Sequence, residues 1–278
     1  MQLSASSLLP STLAIVVLAF GTFGDNASAQ EWPTHLPRKP VADAVRVSEQ
    51  SIFIDGDLNE DAWQSIVPET DLHEFKPVPF ANPRQRTEVR FAFDDRALYI
   101  GARMWDTAPD SILHQLVQRD GGGNTDVFGI WFNCFDDGVN GVRFSVTPDG
   151  VQSDELLTTD GSDGSWNAVW QSECRIDENG WTAEFALPWS VFRFADKGDA
   201  EQQWGMNFYR YIRRYRSDYV WRAMDPNQEG LMNQGGLLSG IRGITPPPRF
   251  SLYPYASTYV NAEDGATNVA VNGGLDLK

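Results

Sequence analysis

Residues 54–63 read Ile54-Asp55-Gly56-Asp57-Leu58-Asn59-Glu60-Asp61-Ala62-Trp63, and this stretch carries more information about the fold than any other. It has the pattern of a strand end, a glycine-containing turn and a short helix. Asp57 and Glu60 have the spacing of a capping box, which satisfies two backbone donors at a helix start. Ala62, Trp63 and Ile66 share one face of a helix predicted over residues 60–66. We therefore predict a capped helix that buries Trp63.

Short strands at regular spacing follow this turn. Residues 87–93 and 97–105 form a predicted hairpin in which apolar side chains alternate with polar or small ones. A second hairpin is predicted at 169–176 and 180–186, because Asn179-Gly180 supplies the positive φ angles of a tight turn. Other strands are predicted at residues 45–54, 126–135, 142–146, 204–213, 219–222 and 251–260, with helical signal only at 110–116 and after Pro188. The pattern predicts an all-β fold, an antiparallel, jelly-roll-like β-sandwich with one or two short helices.

The first 29 residues have the features of an export signal. Thr12 to Phe20 is an almost unbroken apolar run, and Ala27-Ser28-Ala29 fits a cleavage site before Gln30. The run is too short to span a bilayer as a mature helix, and no Lys or Arg precedes it. We expect a signal peptide over residues 1–29, a proline-rich lead over 30–44, and an exported mature protein.

The charge balance limits the partners that the chain can have. With 38 acidic and 22 basic side chains, the net charge is −16. Such a surface repels nucleic acid and anionic lipid, so no nucleic-acid partner is expected. Secreted acidic proteins often bind calcium, which leaves a structural calcium ion as an open alternative. The stretch Asp55 to Ile66 is not a calcium loop of the EF-hand kind, because its sixth position is Glu60 and its twelfth is Ile66.

Cys134 and Cys174 are the only cysteines, and both fall in predicted strands. In an oxidising compartment they can form a disulfide. Two separately buried thiols are an equal alternative, since spacing alone does not show whether two cysteines meet.

Four blocks in order resemble the carbohydrate-binding modules of family nine. They are the opening stretch 54–63, Asp94-Asp95-Arg96-Ala97-Leu98-Tyr99-Ile100, the segment from Gly180 to Trp189, and Trp204-Gly205-Met206-Asn207-Phe208. The resemblance covers residues 45–244 and implies a β-sandwich there. It also implies a non-catalytic module that binds an oligo- or polysaccharide in polysaccharide breakdown or uptake.

Other blocks resemble an uncharacterised bacterial group in which this sandwich precedes an outer-membrane β-barrel. They are Gln118-Arg119-Asp120, residues 149–154, residues 166–170 and residues 210–214. Pro246-Pro247-Pro248 and the alternating stretch after it stand where that barrel would begin. The resemblance implies that residues 245–278 are a linker and the truncated start of a barrel domain. It further implies a periplasmic or outer-membrane location, with an outer-membrane β-barrel as a partner.

A saccharide site needs aromatic platforms for sugar rings and a few polar groups for hydroxyls. Sugar-binding members of the family place one platform Trp just before the strand that here begins near Asp126, where this chain has Gly121-Gly122-Gly123. Trp166 and Trp170 are the replacement candidates, with core packing as the alternative for each. The polar candidates, as contacts to a ligand or to calcium, are Arg119, Asp126 and Asp154, with ordinary ion pairs as the alternative. Trp63, Trp181, Trp189 and Trp204 are assigned to the core.

Three further functions stay open at this point. Arg210, Ile212 and Arg214 share one face of a predicted strand, which suits either an ion-pair ladder or a site for an acidic saccharide. A structural periplasmic domain that binds no sugar is favoured by the missing platform Trp. Glycoside hydrolase activity needs only a suitable pair of carboxylates, but no catalytic motif and no catalytic residue is recognised in the sequence.

Overall fold

The computed structural model describes residues 39–248, 252–263 and 266–277. The predicted signal peptide and residues 30–38 of the proline-rich lead therefore lie outside the described residues. The strands are β1 (Val41–Asp43), β2 (Val45–Arg46), β3 (His73–Lys76), β4 (Thr87–Phe93), β5 (Ala97–Trp105), β6 (Val127–Asn133), β7 (Gly141–Val146), β8 (Gln152–Thr158), β9 (Gly161–Asp163), β10 (Gln171–Asp177), β11 (Gly180–Pro188), β12 (Trp204–Ile212), β13 (Ser217–Val220), β14 (Gly236–Ser239), β15 (Leu252–Glu263) and β16 (Ala266–Leu277). One α-helix, α1 (Asp61–Gln64), and 3-10 turns at Pro109–Ser111, Trp189–Val191, Arg213–Tyr215 and Leu231–Gln234 complete the described elements.

The strands form two large sheets that face each other, which confirms the predicted β-sandwich. One sheet has nine strands and runs β1-β14-β12-β6-β7-β8-β9, with β13 joining β12 to β3. The other has five strands in the order β10-β11-β5-β4-β2. All pairs in the two sheets are antiparallel except β1 with β14 and β2 with β4, so the sheets are mixed at their edges.

An aromatic core fills the space between the two sheets. Phe128 of the nine-stranded sheet lies 5.8 Å from Phe185 of the five-stranded sheet, measured between ring centroids. Phe91 and Phe208 meet across the same interface at 6.1 Å. The four tryptophans assigned to the core from the sequence are all buried, namely Trp63, Trp181, Trp189 and Trp204. Because aromatic side chains bury large areas and prefer tilted contacts, this cluster accounts for much of the hydrophobic stabilisation.

The opening stretch does not form the predicted capping box. Helix α1 has Glu60 at its N-cap without a side-chain cap hydrogen bond. The Glu60 carboxylate instead accepts from the Phe53 N–H at 3.0 Å, and the Asp57 carboxylate pairs with Arg175. Both acids are therefore engaged by tertiary partners that spacing along the chain cannot reveal, and the helix ends after one turn.

Several other boundaries differ from the sequence prediction. Residues 45–54 contribute only the two-residue strand β2, and residues 110–116 contain a 3-10 turn instead of a helix. The strands that sequence patterning missed are β1, β3, β8, β9 and β14. They are short, lie near sheet edges or carry polar residues on both faces, so the alternation that marks a half-buried strand is weak in them.

Of the two equal alternatives for Cys134 and Cys174, a disulfide or two separate thiols, the structure shows two separate thiols. Cys134 follows β6 in the nine-stranded sheet, whereas Cys174 lies in β10 of the five-stranded sheet. No disulfide joins them in the part of the chain that the structure describes. Burial raises the pKa of the Cys174 thiol far above its ordinary value, so this thiol stays protonated and unreactive at neutral pH.

Strands β15 and β16 form a separate two-stranded sheet. Their register runs from Leu252 opposite Leu277 to Glu263 opposite Ala266. Apolar side chains are exposed along this hairpin, including Tyr255, Val260 and Val271. In the described ranges, none of the helices has the length and apolarity needed to cross a bilayer.

Candidate functional site

A cavity of about 550 Å³ lies where β6 ends, β7 begins and β8 ends. Its volume is in the range of small-molecule sites. Its lining residues are Phe132, Cys134, Phe135, Asp137, Asn140, Gly141, Val142, Leu156, Leu157, Thr158, Trp166, Val191 and Arg193. We take it as the candidate functional site because apolar, aromatic and polar groups converge there.

Strand register builds the apolar floor of the cavity. Phe132 of β6 pairs with Val142 of β7, and Val142 pairs with Leu156 of β8. Directly paired residues in neighbouring strands point to the same face of a sheet, so these three side chains lie side by side. Phe192 packs edge-on against Phe132 at 5.3 Å and thereby holds the neighbouring Val191 and Arg193 at the cavity wall.

Two aromatic side chains flank this floor. Trp166 is partly buried and packs against Phe144 at 6.0 Å, measured between ring centroids. Phe135 is 54% exposed and comes from the turn that follows β6. Trp166 was predicted as a platform from the sequence, but Phe135 was not. An exposed Phe directly after a strand, beside Asp136 and Asp137, was the available signal for it.

The rim of the cavity is polar. It carries Asp137, Asn140, Thr158 and Arg193. Backbone hydrogen bonds, led by the Val139 N–H at 2.9 Å, lower the pKa of Asp137, so its carboxylate is ionised. Arg193 is exposed and has no ion-pair partner among the described residues. The cavity thus combines an apolar floor with hydrogen-bond donors and acceptors at its edge.

Trp170 belongs to the core, so its predicted role as a sugar platform is wrong. Its ring is buried and lies 5.1 Å from that of Phe185 and 5.3 Å from that of Phe144. Its indole Nε1 donates to Asp154 Oδ2 at 2.8 Å. Because the side chain is 6% exposed and its N–H is engaged inside the protein, the ring is not a surface platform for a pyranose. Trp170 is nevertheless among the residues that line a concavity beside the five-stranded sheet.

Asp154 and Arg119 form an ion pair with each other, which corrects the prediction that both contact a ligand directly. The Asp154 side chain is fully buried, whereas that of Arg119 is 35% exposed. Asp154 also accepts from the Ala168 N–H at 2.9 Å, and Arg119 Nη2 donates to the Ala168 carbonyl at 3.1 Å. Neither residue lines the cavity.

Asp126 lies away from this cavity, so its predicted ligand contact is also corrected. It precedes β6, whereas the cavity lies where that seven-residue strand ends, about 20 Å further along at the rise of a β-strand. The carboxylate is fully buried and accepts from the Arg213 N–H at 2.9 Å. Burial raises its pKa, and the nearby charges of Arg210 and Arg214 lower it in part.

Arg210 of β12 and Arg214 of the 3-10 turn that follows it form internal contacts, as in the ion-pair alternative to a saccharide site. Arg210 is fully buried and donates to the Trp105 carbonyl at 2.9 Å and to the Arg86 carbonyl at 3.1 Å. Arg214 pairs with Asp106 at 2.8 Å. These contacts are made inside the sandwich, so Arg210 presents no guanidinium to an outside ligand.

The described ranges contain no cluster of acidic side chains that could hold a calcium ion. No group of three or more His, Cys, Asp or Glu side chains there is arranged to hold a metal ion. Asp154 and Asp126, the two acids predicted as calcium ligands, are engaged by Arg119 and the Arg213 backbone instead.

A second concavity, of about 500 Å³, lies beside the five-stranded sheet. Phe53 and Val169 are exposed at it, and Tyr99 and Arg96 also line it. It holds no carboxylate. Phe53, Tyr99 and Trp170 give the second concavity an aromatic lining too, but Arg96 is its one charged residue. The cavity at the end of β6 is taken as the stronger candidate because Phe135 and Trp166 line it together with both an acid and a base, Asp137 and Arg193.

Three solved structures share this fold at low sequence identity. A carbohydrate-binding module of family 9 from Caldicellulosiruptor kristjanssonii in complex with glucose aligns with a TM-score of 0.52 and 12% identity, covering 75% of this chain and 97% of its own. A family 9 module from the same organism in complex with cellotriose gives 0.50 and 14%, covering 74% and 95%. A protein from Bacteroides uniformis, named for an expected carbohydrate-binding role, gives 0.55 and 10%, covering 72% and 99%.

These likenesses establish the fold. The chain contains a β-sandwich of the carbohydrate-binding-module type. No protein-family model and no curated protein matches the chain by sequence.

Proposed function

We propose that the chain is a non-catalytic saccharide-binding module whose ligand occupies the cavity at the end of β6. The observation that carries this proposal is that Trp166 and Phe135 line the same cavity as the apolar side chains of Phe132, Val142 and Leu156. Aromatic rings pack well against the apolar faces of pyranose rings, while rim groups such as Asp137 hydrogen-bond hydroxyls. Two structural neighbours that bind glucose and cellotriose support the same ligand class.

Calorimetric titration of the full chain with glucose, cellotriose and a panel of other oligosaccharides tests this proposal. Saturable binding is expected. Trp166→Ala and Phe135→Ala should each weaken it about tenfold or more, because each removes an aromatic contact at the centre of the site. Phe53→Ala is the comparison variant, since Phe53 is an exposed Phe that lines the second concavity instead of this cavity. A loss of affinity in Phe53→Ala alone would place the ligand at the second concavity and contradict the proposal.

Three further outcomes contradict the proposal. One is a folded chain that binds none of the tested oligosaccharides, and another is unchanged affinity in both the Trp166→Ala and the Phe135→Ala variants. The third concerns catalysis: chromatography of the titrated oligosaccharide should show no shortened product, and steady hydrolysis would support the alternative of a glycoside hydrolase.

We also propose that the module is exported and acts at the cell envelope in polysaccharide breakdown or uptake. The apolar run from Thr12 to Phe20 and the Ala27-Ser28-Ala29 site support export. Fractionation of a Gram-negative host, followed by amino-terminal sequencing, should find a mature chain that begins at Gln30 outside the cytoplasm. A chain that keeps Met1 and stays in the cytoplasm contradicts this proposal.

The exposed apolar side chains of β15 and β16 favour a second candidate, a domain docked on an outer-membrane β-barrel. Val260 and Val269 face each other across the hairpin, and both are more than half exposed. Exposed apolar patches of this kind mark contact surfaces. The full chain should then sediment with outer membranes, and a Val260→Asn/Val269→Asn double variant should not. Equal distribution of both proteins between the fractions counts against this role.

A further inference from the structure

We infer that Arg119 and Asp154 are positioning residues that set the place of Trp166 over the cavity. This inference rests on the proposed function for its consequence in saccharide binding. Its structural basis is the segment of residues 164–170, which carries Trp166 to the cavity and Trp170 into the core.

The ion pair holds both backbone polar groups of one residue in this segment. The Ala168 N–H donates to Asp154 Oδ1 at 2.9 Å, and the Ala168 carbonyl accepts from Arg119 Nη2 at 3.1 Å. Trp170 is also held by two hydrogen bonds, both with residues of β8. Its indole donates to Asp154 Oδ2 at 2.8 Å, and its carbonyl accepts from Gln152 Nε2 at 3.4 Å.

The two charged residues are themselves fixed to the nine-stranded sheet. Asp154 lies in β8, on the inner face opposite Phe144. Arg119 is outside any strand, but the next residue is tied to β8: the Asp120 N–H donates to the Gln152 carbonyl at 3.1 Å, and Asp120 Oδ1 accepts from the Asp154 N–H at 3.1 Å. The Arg119 guanidinium also donates to the Gln152 side chain.

Trp166 has little freedom between these anchors and β9. Strand β9 ends at Asp163, whose carboxylate accepts from the Ser165 N–H at 2.9 Å. Only Trp166 and Asn167 then separate that turn from Ala168. Because a chain held within two residues on either side can adopt few conformations, the ion pair restricts where the Trp166 ring can lie. A site that is ordered before binding loses less conformational entropy on binding its ligand.

Measurements with and without a ligand test this inference. In the full chain labelled with 5-fluorotryptophan, the Trp166 resonance is assigned by its loss in Trp166→Phe. Arg119→Met and Asp154→Asn should shift or broaden that resonance, leave that of Trp63 unchanged, and speed hydrogen exchange at the Ala168 amide. Arg143→Met is the matched control, since the Arg143–Glu155 pair also involves β8 but lies on its outer face.

Cellotriose is the probe for the binding arm. Arg119→Met should weaken its binding about tenfold in the native background and less than about twofold in the Trp166→Phe background, because residues that act through one another are not additive. Arg119→Lys keeps the charge but loses the several N–H donors of the guanidinium, so its affinity for cellotriose should lie between those of the native chain and Arg119→Met.

Each contrary result has a distinct meaning. An equal loss of affinity in both backgrounds shows that Arg119 contacts the sugar itself and overturns the inference. An unchanged Trp166 resonance in both charge variants, with only a lowered Tm, shows a purely structural ion pair and also overturns it. If the native chain does not bind cellotriose, the proposed function fails for that sugar, while the resonance and exchange measurements still decide the positioning role.

Discussion

At the scale of single residues, Glu184 shows how one buried group can hold a loop in place. It lies in β11, is fully buried, and accepts from the Gly56 N–H at 2.8 Å, the Asp55 N–H at 3.0 Å and Trp63 Nε1 at 2.8 Å. Gly56 is needed at this contact, because its φ is +84° and an added Cβ would come within 3.3 Å of the Cys174 backbone. The acceptor that organises the opening stretch is thus more than 120 residues away in sequence.

Burial raises the pKa of Glu184 from 4.5 to about 7, although its hydrogen bonds with Trp63, Asp55 and Gly56 lower it in part. The unfolded chain therefore ionises first, and the stabilising contribution of this group is fully present below about pH 4.5. This contribution to the free energy of unfolding decreases as the pH rises to about 7, and the decrease is at most about 3 kcal/mol.

Glu184→Gln should lower the free energy of unfolding by about 1–3 kcal/mol at pH 4.5, because at least one buried donor loses its acceptor. The deficit relative to the native chain should shrink between pH 4.5 and 8, since the variant lacks the titration. Urea unfolding at several pH values measures the difference directly. A deficit that grows with pH would instead mean that the three donors keep the carboxylate ionised.

At the scale of elements, the turn between β4 and β5 depends on one aspartate. Asp94 Oδ1 accepts from the Arg96 N–H at 2.8 Å and the Ala97 N–H at 3.0 Å, and the Asp94 carbonyl accepts from Trp189 Nε1 at 3.1 Å. The side chain thus satisfies turn donors that the strands leave open, which is the reason aspartate is favoured in turns. Through the hydrogen bond from the Trp189 indole, this turn also contacts the 3-10 turn Trp189–Val191 that follows β11.

Asp94→Ala should reduce the free energy of unfolding by about 1–3 kcal/mol, since the buried Ala97 N–H and the part-buried Arg96 N–H lose their acceptor. Asp94→Asn retains an Oδ1 acceptor and should cost clearly less. Chemical denaturation with fluorescence detection distinguishes the two variants. If both lose the same stability, the charge rather than the turn hydrogen bonds holds this hairpin.

At the scale of the whole molecule, Arg210 joins the two sheets. It belongs to β12 of the nine-stranded sheet, and its Nη1 donates to the Trp105 carbonyl and to Thr87 Oγ1 of the five-stranded sheet at 2.9 and 3.3 Å. Its Nη2 lies 3.6 Å from the buried carboxylate of Asp106. Burial lowers the pKa of Arg210 to about 10, which still leaves it charged at neutral pH.

Arg210→Met should destabilise the fold by about 2–4 kcal/mol, because the Trp105 and Arg86 carbonyls lose a charged donor. Among the described residues, Asp106 then keeps only Arg214 as an ion-pair partner. Arg242→Met, which breaks an exposed ion pair with Glu201, should cost less than about 1 kcal/mol. Comparing the Tm values and denaturation midpoints of the two variants is sufficient. Similar losses in both would contradict a bridging role for Arg210.

Fold class and much of the core can be predicted from the sequence, because alternating side chains indicate which face of a strand is buried. The strands 87–93 and 97–105 were predictable on that basis, and the helical spacing of Ala62, Trp63 and Ile66 predicted the burial of Trp63. Only the tertiary structure decided what each polar group does. The spacing of Asp57 and Glu60 suggested a cap, yet Asp57 pairs with Arg175 of β10 and Glu60 accepts from the backbone of Phe53, in the loop before the turn.

The residues of the candidate site were likewise only partly predictable from the sequence. Trp166 and Trp170 differ by four positions in one segment, and nothing local shows that the first lines a cavity while the second fills the core. That difference arises because Asp154 and Arg119, from other parts of the chain, hold Ala168 between them. Phe135 was missed because an exposed aromatic residue gains its meaning only from the Trp166 that lines the same cavity. Local patterning encodes burial, whereas a binding site depends on which distant side chains the register of the sheets brings together.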